Sequence, residues 1–262
     1  MDLVKGLNKN QKNAVETLSG PMLILAGAGS GKTKTLTHRI ANLIAHGVAS
    51  EAILAVTFTN KAAREMRERL AELLERDAND RFFMPWMGTF HGICVKILRK
   101  KGEAIGVTPN FVIYDEDDRR SLIKKIMREL QIDEKSLKPQ SVSATISNAK
   151  NQLLTAEEFS ASANWGFEKK VAEIFVRYEE ERNKANALDF DDLLFETVKL
   201  LQQNPEVRKF WRDKFEHILI DEYQDTNAAQ YAIVKMLVNS KQNICVVGDD
   251  WQSIYSWRGA DF

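Results

Sequence analysis

Cysteine is nearly absent: Cys94 and Cys245 are the only two in 262 residues. That excludes a disulfide-stapled scaffold. Both sit in apolar helix or strand contexts, so each is expected as a buried free thiol. Histidine is almost as scarce, and the four present, His38, His46, His91 and His217, have no metal-ligand spacing, which excludes a zinc site. No apolar run approaches the length of a membrane span, and Met1-Asp2-Leu3-Val4-Lys5 opens no signal peptide. No membrane partner is expected, and the expected location is cytoplasmic. An excess of either charge is also lacking: Lys plus Arg and Asp plus Glu both number 37. Global charge therefore does not advertise nucleic-acid binding, which has to be sought in local features. No internal repeat or low-complexity segment is visible. What remains is ordinary globular composition, with 44% hydrophobic residues, enough for one large α/β domain or two smaller ones.

The most informative stretch is Leu23-Ile24-Leu25 followed by Ala26, Gly27, Ala28, Gly29, Ser30, Gly31, Lys32, Thr33 and Lys34. An apolar run breaks into small residues and ends in Gly-Lys-Thr, which reads as a buried strand feeding a phosphate-binding loop. Small residues let consecutive backbone N–H groups curl around phosphate oxygens, and a helix starting near Gly31 aims its positive end at the same anion. In that motif Lys32 reaches the β/γ-phosphates and Thr33 holds Mg²⁺. The first position of G-x-x-x-x-G-K-[ST] is Ala26 here, tolerable because the inner glycines carry the tightest turns.

Upstream, Asn8 is a plausible N-cap for a helix over Lys9 to Leu18 that carries Gln11. A Gln amide donates and accepts at once, which suits an adenine edge, although by spacing alone a solvent-exposed Gln is the more ordinary reading. After the loop, Leu36, Ile40, Leu43 and Ile44 recur at helical spacing, and Gly47 closes the helix. A strand over Ala52 to Thr57 then meets Phe58, Thr59 and Asn60, followed by a helix marked by Met66, Leu70, Leu73 and Leu74. A second short strand, Trp86 to Gly88, leads to Thr89, Phe90 and His91 and the helix Ile93 to Lys100. Both turns fall at the carboxyl end of a strand, where open parallel sheets take their ligands.

From about Asp115 to Gln203 strand-like runs disappear and apolar residues fall at helical periods, as in Leu122, Ile123, Ile126, Met127 and Leu130. Such a block reads as an inserted helical subdomain. Its mixed charges, Glu168 to Lys170 and Glu179 to Arg182, read as a solvated face. Leu188-Asp189-Phe190-Asp191-Asp192 reads as an acidic helix N-terminus rather than a metal site. Strand character returns at His217 to Ile220, which runs into Asp221-Glu222-Tyr223-Gln224-Asp225. This is the acidic partner that a phosphate loop needs, with Asp221 for Mg²⁺ and Glu222 to polarise the attacking water. A last strand, Asn243 to Val247, ends in Gly248-Asp249-Asp250-Trp251-Gln252-Ser253-Ile254-Tyr255-Ser256-Trp257-Arg258. Its clustered Tyr255, Trp257 and Arg258 suit base stacking, with a core role open for at least one.

In order and across nearly the whole chain, these segments resemble superfamily 1A DNA helicases of the UvrD/PcrA/Rep type. Leu7 to Gln11 is similar to that family's Q motif, Ala26 to Thr33 to motif I, and Thr57 to Ala63 to motif Ia. Thr89-Phe90-His91, Leu188 to Asp192, Asp221 to Asp225 and Gly248 to Arg258 follow in the family's order. The resemblance implies an α/β RecA-like ATPase domain, 1A, over residues 1–112 and 204–262, carrying a helical 1B insertion over 113–203. It implies that Gln11 recognises adenine, that Lys32, Thr33, Asp221 and Glu222 bind and hydrolyse ATP with Mg²⁺, and that Gln252 senses the γ-phosphate. It implies a single-stranded DNA path over Phe58, Thr59, Asn60, Thr89, His91, Tyr255, Trp257 and Arg258, with junctions of single and double strand as partners. The implied activity is 3′-to-5′ translocation in repair or replication. A fragment that binds without turnover, or the ATPase part of a helicase-nuclease or polymerase-associated relative, is the alternative. Trp251 departs from the acidic residue the family often carries. The resemblance also places motifs IV to VI, domains 2A and 2B and their arginines beyond Phe262.

Overall fold

The computed structural model describes residues 2–27 and 29–249. In chain order the elements are α1 (Lys9–Glu16), β1 (Met22–Leu25), α2 (Lys32–Ala45), β2 (Ile53–Thr57), α3 (Asn60–Leu74), β3 (Met87–Thr89) and α4 (Phe90–Lys101). There follow β4 (Val112–Ile113), α5 (Glu116–Glu129), α6 (Pro139–Asn151), α7 (Ala156–Ser162), α8 (Gly166–Lys184), β5 (Ala187–Leu188) and α9 (Phe190–Gln203). The chain closes with α10 (Pro205–Lys214), β6 (His217–Ile220), α11 (Ala228–Leu237) and β7 (Ile244–Gly248). No helix among the described residues is long and apolar enough to cross a membrane.

Two compact units result. The first holds the described residues up to Ile93, Asn204–Thr226 and those from Gln230 onward; the second holds Cys94–Gln203 and Asn227–Ala229. The first segment of the first unit ends at Ile93, within α4.

The first unit is built on a parallel five-stranded sheet of order β1-β7-β6-β2-β3. Every residue of β2 and β6 is buried, as expected of central strands covered on both faces. Leu36, Ile40 and Leu43 of α2 and Met66 and Leu70 of α3 pack with Ile53, Ala55, Leu219, Cys245 and Val247 of the sheet. The apolar run of β1 reads from sequence as a buried strand, and this needs correcting. Among the described residues β1 pairs only with β7, and Leu23 and Leu25 are 60% and 53% exposed. Periodicity cannot distinguish an edge strand from a central one when both are apolar.

The second unit packs Ile123, Ile126 and Met127 of α5 with Val142 and Ile146 of α6 and Val171, Ile174, Phe175 and Tyr178 of α8. It also contains a short parallel pair, β4 with β5, of which β5 lies within the block whose sequence reads as helical. Two-residue strands carry too little pattern to register. Arg182, read as part of a solvated face, is only 1% exposed and pairs with Asp192 and Glu179. Both cysteines are buried free thiols; burial pushes Cys94 up to about 12 and Cys245 up to about 11, so neither is a reactive thiolate.

Candidate nucleotide site

Parallel pairing brings the carboxyl ends of β1, β7 and β6 side by side, so the segments that leave them meet at one edge. From β1 the chain enters the glycine loop. Gly29 and Gly31 have φ of 72° and 84°, a region L side chains avoid, and a Cβ on Gly31 would stand 2.9 Å from the Gln11 amide nitrogen. Gly31 is also the N-cap of α2 and offers no side-chain acceptor to that helix's first N–H groups. They are left to an outside anion, which the helix dipole favours. Ala26 and Gly27 flank the turn, and the Ala26 N–H is tied to the Gly248 carbonyl at 3.2 Å. Ser30 donates its N–H to the Gly27 carbonyl at 3.3 Å. Ala28 lies outside the described residues.

Lys32 is buried, and its ammonium donates to the Ala26 carbonyl at 2.8 Å and to Asp249 Oδ2 at 3.1 Å. Thr33 Oγ1 donates to Asp221 Oδ2 at 3.1 Å, so the hydroxyl and carboxylate expected to share a cation already face each other. Asp221 Oδ1 accepts from the Glu222 N–H at 3.1 Å. Burial and the adjacent Glu222 charge raise Asp221 above the usual carboxylate range, with Thr33 partly offsetting them. Such a group gains from a cation. A hard divalent ion that keeps most of its water fits one carboxylate and one hydroxyl, and it needs no dedicated cage of acids. Among the described residues no group of three or more acidic, His or Cys side chains is arranged to hold a metal ion. Glu222 itself sits at φ 52°, the left-handed region that costs a non-glycine residue energy.

Gln11 is positioned from two sides. Its Oε1 accepts from the Asn8 N–H at 3.0 Å while Asn8 Oδ1 accepts from the Gln11 N–H at 2.9 Å, a reciprocal cap on α1. Its Nε2 donates to the Ser30 carbonyl at 2.9 Å, tying α1 to the phosphate loop. α1 in turn is held by α2, whose Arg39 donates to Ala14 and Thr17 carbonyls and whose Asn42 donates to that of Val15. Lys34, grouped from sequence with the phosphate cradle, turns its ammonium to the Gly6 carbonyl at 3.0 Å.

Phe58, Thr59 and Asn60 leave β2 and Thr89 and His91 leave β3, adjacent strands of the same sheet. The Phe58 ring meets Phe90 edge-on at 5.8 Å. Thr59 Oγ1 accepts from the Ala62 N–H and caps α3, and Thr89 Oγ1 accepts from the Gly92 N–H at 3.2 Å. Thr59 and Asn60 are exposed, and Phe58, Thr89 and His91 half-buried. Gln252, Tyr255, Trp257 and Arg258 lie outside the described residues. Sequence reasoning did not single out Asp249, the counter-ion of Lys32, or Gln224, which contacts Glu222. The only signal was a glutamine inside the acidic box and an aspartate directly after an apolar strand.

A parallel sheet with a glycine-bent strand-to-helix loop and an acidic box at a nearby strand end defines the P-loop class of RecA-like domains. The chain belongs to the UvrD/REP helicase family, whose N-terminal domain profile matches residues 7–262. It is 51% identical over 260 residues to ATP-dependent DNA helicase PcrA of Bacillus subtilis, covering 99% of this chain and 35% of that protein. The PcrA helicases of Leuconostoc citreum and Staphylococcus aureus are 48% and 46% identical, with 99% of this chain covered in each. The chain thus spans about a third of the length of these curated relatives.

Proposed function

We propose that this chain is the ATP- and single-stranded-DNA-binding N-terminal part of an ATP-dependent 3′-to-5′ DNA helicase. The observation that carries this is the meeting of Lys32, Thr33, Asp221 and Glu222 at one sheet edge in a member of a helicase family. In this reading the α2 N-terminus and Lys32 hold the β- and γ-phosphates, and Lys32 leaves Asp249 to do so. Gln11 reads the adenine edge. Thr33 and Asp221 would hold Mg²⁺, which neutralises charge developing on the phosphates. Glu222 orients and takes a proton from the attacking water. Phe58, Thr59, Asn60, Thr89 and His91 border the DNA strand, together with Tyr255, Trp257 and Arg258. Gln252 follows the γ-phosphate, and the residues around α5 to α9 form the inserted 1B subdomain.

The test is equilibrium binding of a fluorescent ATP analogue with and without Mg²⁺. A hydrogen bond to a charged group is worth about 1.5–3 kcal/mol. Lys32→Ala is therefore expected to weaken binding by about tenfold or more, and equal binding by both proteins would refute the assignment.

A further inference from the structure

We propose that Gln224 is a positioning residue: its side-chain amide holds the Glu222 carboxylate and ties it to the end of β7. This rests on the reading of Glu222 as the group that activates water. Gln224 Nε2 donates to Glu222 Oε2 at 2.7 Å, and Gln224 Oε1 accepts from the Asp249 N–H at 3.1 Å. The amide is buried, so both ends of it need partners, and it has them. The same Asp249 accepts from Lys32 through its carboxylate. A continuous path therefore runs from the phosphate-loop lysine through Asp249 and Gln224 to Glu222.

Two backbone features fit this function better than simple stitching of a turn. Glu222 occupies the left-handed region, so its carboxylate direction follows from a strained backbone that a neighbour must fix. Gly248 leaves room for the amide, since a Cβ there would stand 3.1 Å from Gln224 Oε1. The consequence is chemical. When Lys32 exchanges Asp249 for phosphate, the end of β7 is released from the lysine but stays bonded to Gln224. Occupancy of the phosphate site and placement of the water-activating carboxylate are then linked through one amide.

The test uses this chain in excess over radiolabelled ATP and Mg²⁺, so that a single slow turnover is read, alongside the affinity for the fluorescent analogue. A misplaced catalytic group costs on the order of 10- to 100-fold in rate. Gln224→Met is expected to slow hydrolysis by about that factor while changing nucleotide affinity less than about twofold. Gln224→Glu keeps size but sets two carboxylates together. Their repulsion should slow hydrolysis at least as much as Gln224→Met does while nucleotide affinity stays within about twofold, a loss confined to the rate that a merely structural role would not produce. Amide hydrogen exchange at Asp249 should accelerate in Gln224→Met because its acceptor is gone. An unchanged rate, an equal loss of rate and affinity, or unchanged Asp249 exchange would each overturn the proposal. Where hydrolysis is too slow to read, the exchange result decides. Glu222→Gln separates the two levels: hydrolysis at the unmodified rate in that variant refutes the role of Glu222 itself.

Discussion

A carboxylate buried against a second carboxylate is a poor stabiliser of a fold, and Asp221 is such a group. Burial and Glu222 raise its pKa above that of an unfolded aspartate. A raised acid takes up a proton on folding, so the ionised form opposes folding at pH values above the ordinary carboxylate range, and the penalty vanishes below it. Asp221→Asn keeps the shape and removes the charge. It should therefore stabilise the protein at neutral pH by about 0.5–2 kcal/mol, as relieved functional sites commonly do. The gain in thermal midpoint should shrink as pH falls towards about 4, the ordinary aspartate value. In the same variant, Mg²⁺-dependent nucleotide binding should be lost. A midpoint lowered at neutral pH, with binding intact, would show that the carboxylate serves the fold and not a cation. Lys32, Thr33, Asp221 and Glu222 could all be named from sequence because the motif chemistry is local to each loop. Asp249 and Gln224 could not, since the Lys32 to Asp249 bond spans 217 positions and becomes visible only once strands pair.

At the level of elements, the start of α1 is legible at Asn8 because capping is chemistry within four residues, and the same chemistry opens α5 and α7, where no cap is expected from sequence. Asn8 and Gln11 cap α1, Asp115 and Asp118 cap α5, and Thr155 and Glu158 cap α7. The acidic helix N-terminus expected from sequence opens α9: Asp189 accepts from the Asp192 N–H and Asp192 from the Asp189 N–H, each at 2.8 Å. What the sequence could not convey is that these acids are fully buried on cations from other helices. Lys150 of α6 reaches Asp192 at 2.6 Å, Glu179 at 2.9 Å and Asp189 at 3.1 Å, and stands 4.9 Å from the Tyr178 ring. Burial alone would push Asp189 up, but Lys150 and Arg119 hold it well below the usual range. Removing one partner of such a set leaves charge buried and unpaired, which costs about 3–5 kcal/mol. Lys150→Met should lower stability by that amount in urea unfolding. Adding Asp192→Asn should restore part of it, a coupling that two independent sites would not show. Strict additivity would mean that the pair contributes nothing. The edge position of β1 was equally invisible, because alternation of exposure along an all-apolar strand leaves no trace in residue type.

At the level of the whole molecule, charge is balanced, and that governs how the chain should hold DNA. Binding that rests on a basic surface releases one counterion per neutralised phosphate, and single strands give a salt slope of about −0.7 per contact. With 37 residues of each charge, the chain has no surplus to spread along a strand. Its affinity should rest on a few phosphate donors at the ends of β2 and β3 and on stacking, which is worth about 1–3 kcal/mol per base and depends little on salt. Under the proposed function, turnover by this chain on its own is expected to be slow. The family resemblance implies a second RecA-like domain whose arginines complete the ATP site, and such an arginine is worth about 10³–10⁵ in rate. Titration of the purified chain with oligothymidine over a range of salt is therefore expected to give a slope no steeper than about −3, the value for roughly four contacts. Steady-state ATP hydrolysis should respond little to the oligonucleotide. A slope twice as steep would locate an extended basic track that the balanced composition conceals. Strong DNA-stimulated hydrolysis would mean that copies of the chain complete each other's site, and its rate would then rise with the square of protein concentration.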